Sequence, residues 1–169
     1  LIVGFSKNYS SVLRPVLKII GKEKGVEKIA SMMMILSDKK PMFFTDTTIN
    51  QDPTAEELAN IAKMAERTVK TFAIEPRLAM LSFENFAGYS RTSKKVAEAV
   101  RILHNKYPNM VVDGEIQPDF ALDSEHLSDY PFSKLGTEPA NVFVFPNLAS
   151  ANLSYKILRG MKVAQMVGP

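Results

Sequence analysis

The sequence predicts an α/β fold, an αβα sandwich around a mostly parallel, mixed central sheet. Short apolar segments typical of strands alternate with amphipathic segments typical of helices along almost the whole chain. Several of the strand-like segments run directly into polar turns, as parallel strands do before a crossover helix. One connection, residues 37–41, is short enough for an antiparallel hairpin, which would make the sheet mixed.

Seven apolar segments predict the strands of this sheet. The segment at 28–36 is continuously apolar over most of its length, which is typical of a strand covered on both faces. The first segment reads as the end of a strand, and the last closes the chain. In order, the predicted strands are residues 1–5, 28–36, 42–45, 77–83, 110–115, 141–145 and 162–167.

Helices are predicted between these strands from apolar residues at helical spacing. The first spans 6–20, where Pro15 indicates a later start or a bend. The others span 54–72 and 96–107, and a last one begins at Pro146 and Asn147. The segment 118–139 is the least regular, and long irregular segments often carry function.

Composition limits the classes of function. The 169 residues suit one globular domain, and the net charge of +3 is spread over interspersed charges, so no nucleic-acid partner is expected. No apolar run is long enough to span a bilayer, so no membrane partner is expected either. The absence of cysteine favours a cytoplasmic location. Because the chain begins at Leu1 and ends at Pro169, we expect it to be cut from a longer polypeptide.

Four polar turns follow predicted strands, at 6–11, 45–52, 84–93 and 146–152. In open α/β sheets the carboxyl ends of the strands hold the ligand. Hydroxyl, amide and free backbone N–H groups there suit an anion. The sequence therefore predicts an anionic small-molecule site at this edge.

The polar segment 46–52, which we call the hinge loop, has two interpretations. Its end is explained without a ligand, either by Asp52 as a helix N-cap before proline or by a capping box between Thr54 and Glu57. Neither cap explains the residues before it, which remain candidates for ligand binding: Asp46, Thr47, Thr48 and Asn50.

Other charged residues are ambiguous. Arg14 is either a phosphate or carboxylate ligand or a surface arginine with a buried stem. The acidic group of Asp113, Glu115 and Asp119 is interpreted as a turn around Gly114 in preference to a metal site. The two histidines, at 104 and 126, lack metal-ligand spacing, so no metal site is predicted.

Six segments in one order resemble the phosphotransacetylase-type (phosphate acetyl/butyryl transferase) domain: FSKNYSSVLRPVLKIIG, FFTDTTINQDPTAEELANIA, RLAMLSFENF, VDGEIQPDFAL, YPFSKL and ANVFVFPNLASANLSYKILR. That domain occurs as free-standing phosphate acetyltransferase and as the C-terminal region of bacterial NADP-dependent malic enzymes. The segments DTTIN, LRPVLKIIG and YPFSKL resemble the malic-enzyme form more closely than the free-standing acetyltransferase.

The resemblance implies a two-lobed architecture similar to isocitrate and isopropylmalate dehydrogenases. Residues 1–169 would form one lobe with a margin of the second, and the lobe would assemble as a homo-oligomer. Arg14 lies in the LRP string that supplies an arginine to the family's site. The expected effector-binding residues are Ser6, Lys7, Asn8, Arg14, Asp46, Thr47, Thr48, Asn50 and Asn152.

The resemblance also implies a regulatory role, in which acetyl-CoA or a related CoA ester binds this domain and inhibits malate decarboxylation. The family's catalytic Ser–Arg pair and aspartate follow the GP string at which this chain stops, so we expect no catalytic residues and no cofactor here. The malic-enzyme domains, with NADP and a divalent metal (Mg or Mn), would lie upstream in the same chain. The alternatives are a truncated phosphate acetyltransferase and a purely structural assembly module.

Overall fold

The computed structural model describes residues 9–22, 26, 28–37 and 40–168. The predicted strand at 1–5 lies outside these residues. The described elements, in chain order, are α1 (Tyr9–Ile19), β1 (Met32–Leu36), β2 (Pro41–Thr45), α2 (Ala55–Lys70), β3 (Leu78–Leu81), α3 (Arg91–Lys106), β4 (Val112–Ile116), α4 (Pro118–Leu122), α5 (Ser124–Ser128), β5 (Val142–Val144), α6 (Leu148–Met161) and β6 (Gln165–Val167).

The six described strands form one mixed sheet in the order β4-β3-β5-β2-β1-β6. Strands β2, β5, β3 and β4 are parallel to one another, as the alternation of strands and helices predicts. Strand β1 is antiparallel to both β2 and β6, with Met34 opposite Phe43 in the hairpin. The mixed, mostly parallel sheet predicted from the sequence is therefore confirmed.

Helices cover both faces of the sheet and divide the core into two layers. On one face, Leu58 of α2 and Val96 of α3 pack with alternate strand residues such as Met80. On the other face, α4, α5 and α6 pack against the remaining strand residues, and this layer includes Leu127 of α5 and Phe143 of β5. Since the parallel strands β3 and β5 are buried on both faces, their sequences are continuously apolar rather than alternating.

The helix that follows the hinge loop begins with a capping box. Thr54 is the N-cap of α2, its side chain accepts a hydrogen bond from the Glu57 backbone N–H, and the Glu57 carboxylate accepts one from the Thr54 N–H. This confirms the T-x-x-E interpretation. Asp52 is not the cap; its carboxylate pairs instead with Lys95 on α3.

The predicted turn at Asp113 and Gly114 is wrong, because both residues lie within the buried strand β4. The Asp113 carboxylate accepts hydrogen bonds from the backbone N–H groups of Gly114 and Lys134. Asp113 thus acts as a hydrogen-bond acceptor within the sheet, and it does not form a turn with Gly114. Asp119 lies in the first turn of α4, so the segment after β4 is more helical than its composition indicates.

Across the described ranges, no three His, Asp or Glu side chains are grouped as metal ligands would be. Likewise, no described helix has both the length and the apolar character that crossing a bilayer requires.

Candidate functional site

A groove runs along the edge of the sheet where the four parallel strands end. It consists of two adjoining clefts, of about 510 and about 500 Å³, that share Thr92 and Asn147. We call the two together the carboxyl-edge groove. Each cleft has the size typical of a small-molecule site, roughly 300–1,000 Å³. The position agrees with the rule that open α/β sheets bind ligands at the carboxyl ends of their strands.

One half of the carboxyl-edge groove is apolar. Its walls include Leu81 and Phe83 from the end of β3, Pro118 after β4, and Phe145 and Pro146 after β5. No residue that lines this half carries a formal charge. The apolar half therefore suits an uncharged, extended part of a ligand.

The other half of the groove is polar and carries two cations, Arg91 and Lys95, at the start of α3. Lys95 Nζ lies 2.6 Å from Asp52 Oδ1 and donates to the Pro146 carbonyl oxygen at 3.0 Å. The hydrogen bond from Lys95, with its charge, holds the pKa of the Asp52 carboxyl below its ordinary value. Arg91 is exposed and forms no ion pair with any described residue, although its charge also contributes to lowering the pKa of Asp52 in the same cleft.

The segment 82–90, whose first two residues line the wall beside β3, is fixed to the end of β4 by hydrogen bonds. Gln117 Nε2 donates to the Phe83 carbonyl oxygen at 3.0 Å, and the Gln117 N–H donates to Asn85 Oδ1 at 2.7 Å. The buried carboxylate of Glu115 accepts from the Gly88 N–H at 2.6 Å. This wall is therefore held in place before any ligand arrives, which lowers the entropy lost on binding.

The hinge loop is organised around the buried carboxylate of Asp46, which is 4% exposed. Oδ1 accepts from the backbone N–H groups of Ser31, Thr48 and Ile49 and from the Ser31 hydroxyl. Oδ2 accepts from the Asn50 N–H at 2.8 Å and from Asn50 Nδ2 at 2.6 Å. Both oxygens of Asp46 are thus engaged by the protein itself.

The remaining hinge residues extend this network. The N–H groups of Thr47 and Thr48 donate to Ser31 Oγ at 3.0 Å each. Asn152 on α6 donates from Nδ2 to the Thr47 carbonyl oxygen at 3.2 Å. The structure therefore brings five of the predicted residues together: Asp46, Thr47, Thr48, Asn50 and Asn152.

The family of this chain follows from a comparison with known protein families. The whole chain, residues 1–169, matches the family described as phosphate acetyl/butaryl transferase. The chain belongs to this family. The resemblance drawn from the six sequence segments is therefore confirmed.

Relatives in the phosphate acetyl/butaryl transferase family carry two kinds of name. An NADP-dependent malic enzyme of Haemophilus influenzae is 37% identical over 171 residues, which cover 100% of this chain and 22% of that protein. A phosphate acetyltransferase of Bacillus subtilis is also 37% identical over 171 residues, covering 100% of this chain and 53% of that protein. The chain thus spans about a fifth of one relative and about half of the other.

The fold is that of solved members of the family. A phosphotransacetylase from Streptococcus pyogenes superimposes with a TM-score of 0.89 at 35% sequence identity, covering 98% of this chain and 51% of that one. A phosphotransacetylase from Staphylococcus aureus gives 0.86 at 32% identity, over 96% of this chain and 51% of that one. Both similarities extend across nearly the whole described sheet.

None of the predicted site residues that the structure describes lines the carboxyl-edge groove. From the hinge loop, Gln51 and Asp52 line it instead. Arg14 is exposed on α1, one turn before Leu17, which lines a separate depression with Ile49 and Asn50. Ser6, Lys7 and Asn8 lie outside the described residues. Effector binding by these residues stays a prediction.

The polar turns predicted from the sequence include segments that line the groove, but the individual lining residues were not predicted. The turns at 84–93 and 146–152 contain Arg91, Thr92 and Asn147, which were not singled out. Phe83 and Lys95 gave no signal, because an aromatic residue at a strand end and a lysine on an amphipathic helix are common. Only the convergence of the strand ends in space shows that they face one groove.

Proposed function

We propose that this chain is the regulatory, acetyl-CoA-sensing and oligomerising domain of an NADP-dependent malic enzyme. In the longer protein, other domains would carry out the oxidative decarboxylation of malate with NADP and a divalent metal, Mg or Mn. The observation that carries the proposal is the two-part character of the carboxyl-edge groove.

A CoA ester has the same two-part character as the groove. Its nucleotide end carries phosphate groups, whereas its pantetheine arm is long, extended and uncharged. The polar half offers the exposed Arg91 guanidinium, which suits bidentate phosphate binding. The apolar half offers aliphatic and aromatic walls for the arm. Acetyl-CoA thus matches the groove in both the placement of charge and the extended shape.

Regulation follows if the ligand binds one conformational state of the longer protein more tightly than another. The groove suits this role because it lies between separate elements, the starts of α3 and α6 and the ends of four strands. Malic enzymes among the relatives share this region at 34–38% identity, which supports placing the domain in such a protein.

A second candidate function is acetyl transfer between acetyl-CoA and phosphate, as part of a phosphate acetyltransferase. It is favoured by the solved neighbours, which are named phosphotransacetylases, and by the 53% of the Bacillus subtilis enzyme that this chain covers. The same groove would then bind the substrate, with catalytic residues supplied from outside the described residues.

Kinetics of the longer protein that carries this chain separate the two functions. A sensor predicts malate-dependent NADPH formation that acetyl-CoA inhibits, without acetyl-CoA formation from acetyl phosphate and CoA. Replacing Arg91→Ala should raise the half-inhibitory acetyl-CoA concentration about tenfold, because a charge-assisted phosphate contact is lost.

Arg101→Ala is the matched control, since Arg101 lies on the same helix but pairs with Glu98 on the exposed face. It should leave inhibition unchanged. Malate oxidation that is indifferent to acetyl-CoA would refute the sensor, and acetyl-CoA synthesis would establish the second candidate instead.

A further inference from the structure

Phe83 is an exposed aromatic side chain within the apolar half of the carboxyl-edge groove. It is 65% exposed, although aromatic rings gain free energy by leaving water. No described aromatic ring stacks on it. Its backbone is nevertheless fixed, because its carbonyl oxygen accepts from Gln117 Nε2. An exposed ring that extends from a fixed backbone position is well suited to contact a ligand.

Phe132 shows that exposure alone does not explain this arrangement. It is similarly exposed, at 68%, but its ring contacts Phe86 and Tyr130 at centroid distances of 5.0 and 5.9 Å. Phe132 therefore has a structural role in an aromatic cluster. Phe83 belongs to no such cluster. It lines the groove beside Leu81 and Phe145, so its exposed ring is available to a ligand there.

We propose that Phe83 is the specificity-determining residue that binds the pantetheine arm of the CoA ester. The inference rests on the proposed function, because it assigns a part of the same ligand to a part of the same groove. The exposed Arg91 guanidinium places the phosphate-bearing nucleotide end in the polar half, since Lys95 is already paired with Asp52. The arm that continues from the phosphates then extends past Thr92 and Asn147, which both halves share, into the apolar half.

Binding measurements with two probes test this assignment. Acetyl-CoA has both the nucleotide end and the arm, whereas adenosine 3′,5′-bisphosphate has the nucleotide end alone. In the longer protein, Phe83→Ala should weaken acetyl-CoA binding about tenfold and change bisphosphate binding less than about twofold, by calorimetry. Phe83→Leu, which keeps apolar area, should fall between the wild type and Phe83→Ala.

Phe132→Ala is the matched control and should change neither dissociation constant. Three outcomes would contradict the proposed function, the role of Phe83, or both. If the wild type binds neither probe, the proposed function fails and the inference with it. If the wild type binds acetyl-CoA and Phe83→Ala binds it equally well, the inference alone fails. Equal weakening for both probes would also overturn it, since the ring would then act on the whole groove and not on the arm.

Discussion

Asp46 carries most of the local order of the hinge loop. Its buried carboxylate accepts six hydrogen bonds, from Ser31, Thr48, Ile49 and Asn50. A carboxylate removed from water is stable in the core only when its oxygens are fully hydrogen-bonded. The loop conformation and the charged acceptor therefore stabilise each other.

Replacing Asp46→Ala should lower the free energy of unfolding by about 3 kcal/mol, since several buried N–H groups lose their acceptor. Urea unfolding followed by circular dichroism measures this difference. Asp52→Ala, in the same loop, removes a carboxylate that is 75% exposed and should change stability by less than about 1 kcal/mol. Equal losses for the two variants would contradict the role given to Asp46.

Hydrogen bonds between residues close in sequence can be predicted, whereas those between distant residues cannot. The capping box of Thr54 and Glu57 is local, three residues apart, and was predicted correctly. Two of the six hydrogen bonds to Asp46 come from Ser31, which lies 15 residues away on the other side of a hairpin, so no local pattern reveals them. Carboxylates whose partners are distant in sequence look the same as ligand-binding carboxylates until the fold is known.

At the level of elements, the alternation of apolar segments and helices predicted six strands that the structure describes, with boundaries shifted by a few residues. Strand β4 differs from the other strands in its polar sequence. The residues VDGEI are typical of a turn, yet all five are buried. Polar groups are accommodated there by partners on other elements, Lys134 for Asp113 and Gly88 for Glu115. The polar residues gave the wrong local prediction because their partners are tertiary.

Gly114 shows what the pairing of β3 and β4 requires. Its φ is +142°, and a Cβ there would lie 2.3 Å from the Met80 carbonyl oxygen on β3. Gly114→Ala should therefore destabilise the protein by about 3 kcal/mol or more, through a backbone clash and an unfavourable φ. Thermal and urea unfolding of the purified variant test the prediction.

Gly160, on the exposed side of α6, is the matched control for this substitution. A Cβ there meets no atom within 4 Å. Alanine at this position should raise stability by about 0.5–1 kcal/mol because it favours the helix and restricts the unfolded chain. A Gly114→Ala protein as stable as the wild type would show that β3 and β4 can separate without loss.

At the scale of the whole molecule, the sheet determines where the groove lies, and this is the edge at which the sequence predicts a ligand. The sequence does not show which residues of the polar turns line the groove. The lining depends on strand order, since β5 lies between β2 and β3 although it comes last of the three in the chain. Asn147 and Arg91 meet in one groove for the same reason.

The molecule also presents an apolar surface that is not covered by any described element. We call Leu153, Ile157 and Met161 on α6 the α6 stripe; they recur every four residues and are 60–64% exposed. Val163, before the edge strand β6, and Val167, within it, are also exposed. Exposed apolar residues that recur along one helix face are typical of an interaction surface. An edge strand beside them adds unpaired backbone groups.

We expect the α6 stripe to form the homo-oligomer contact that belongs to the proposed function. The double variant Leu153→Glu with Ile157→Glu should lower the mass of the longer protein, measured by sedimentation equilibrium, toward that of the monomer, because two charges would be buried without partners. Leu122→Glu, at a 47% exposed position on α4, is the control and should leave the mass unchanged. An unchanged mass for the double variant, with its circular dichroism intact, would place the contact on another surface. If acetyl-CoA still inhibits a monomeric double variant, sensing does not require assembly.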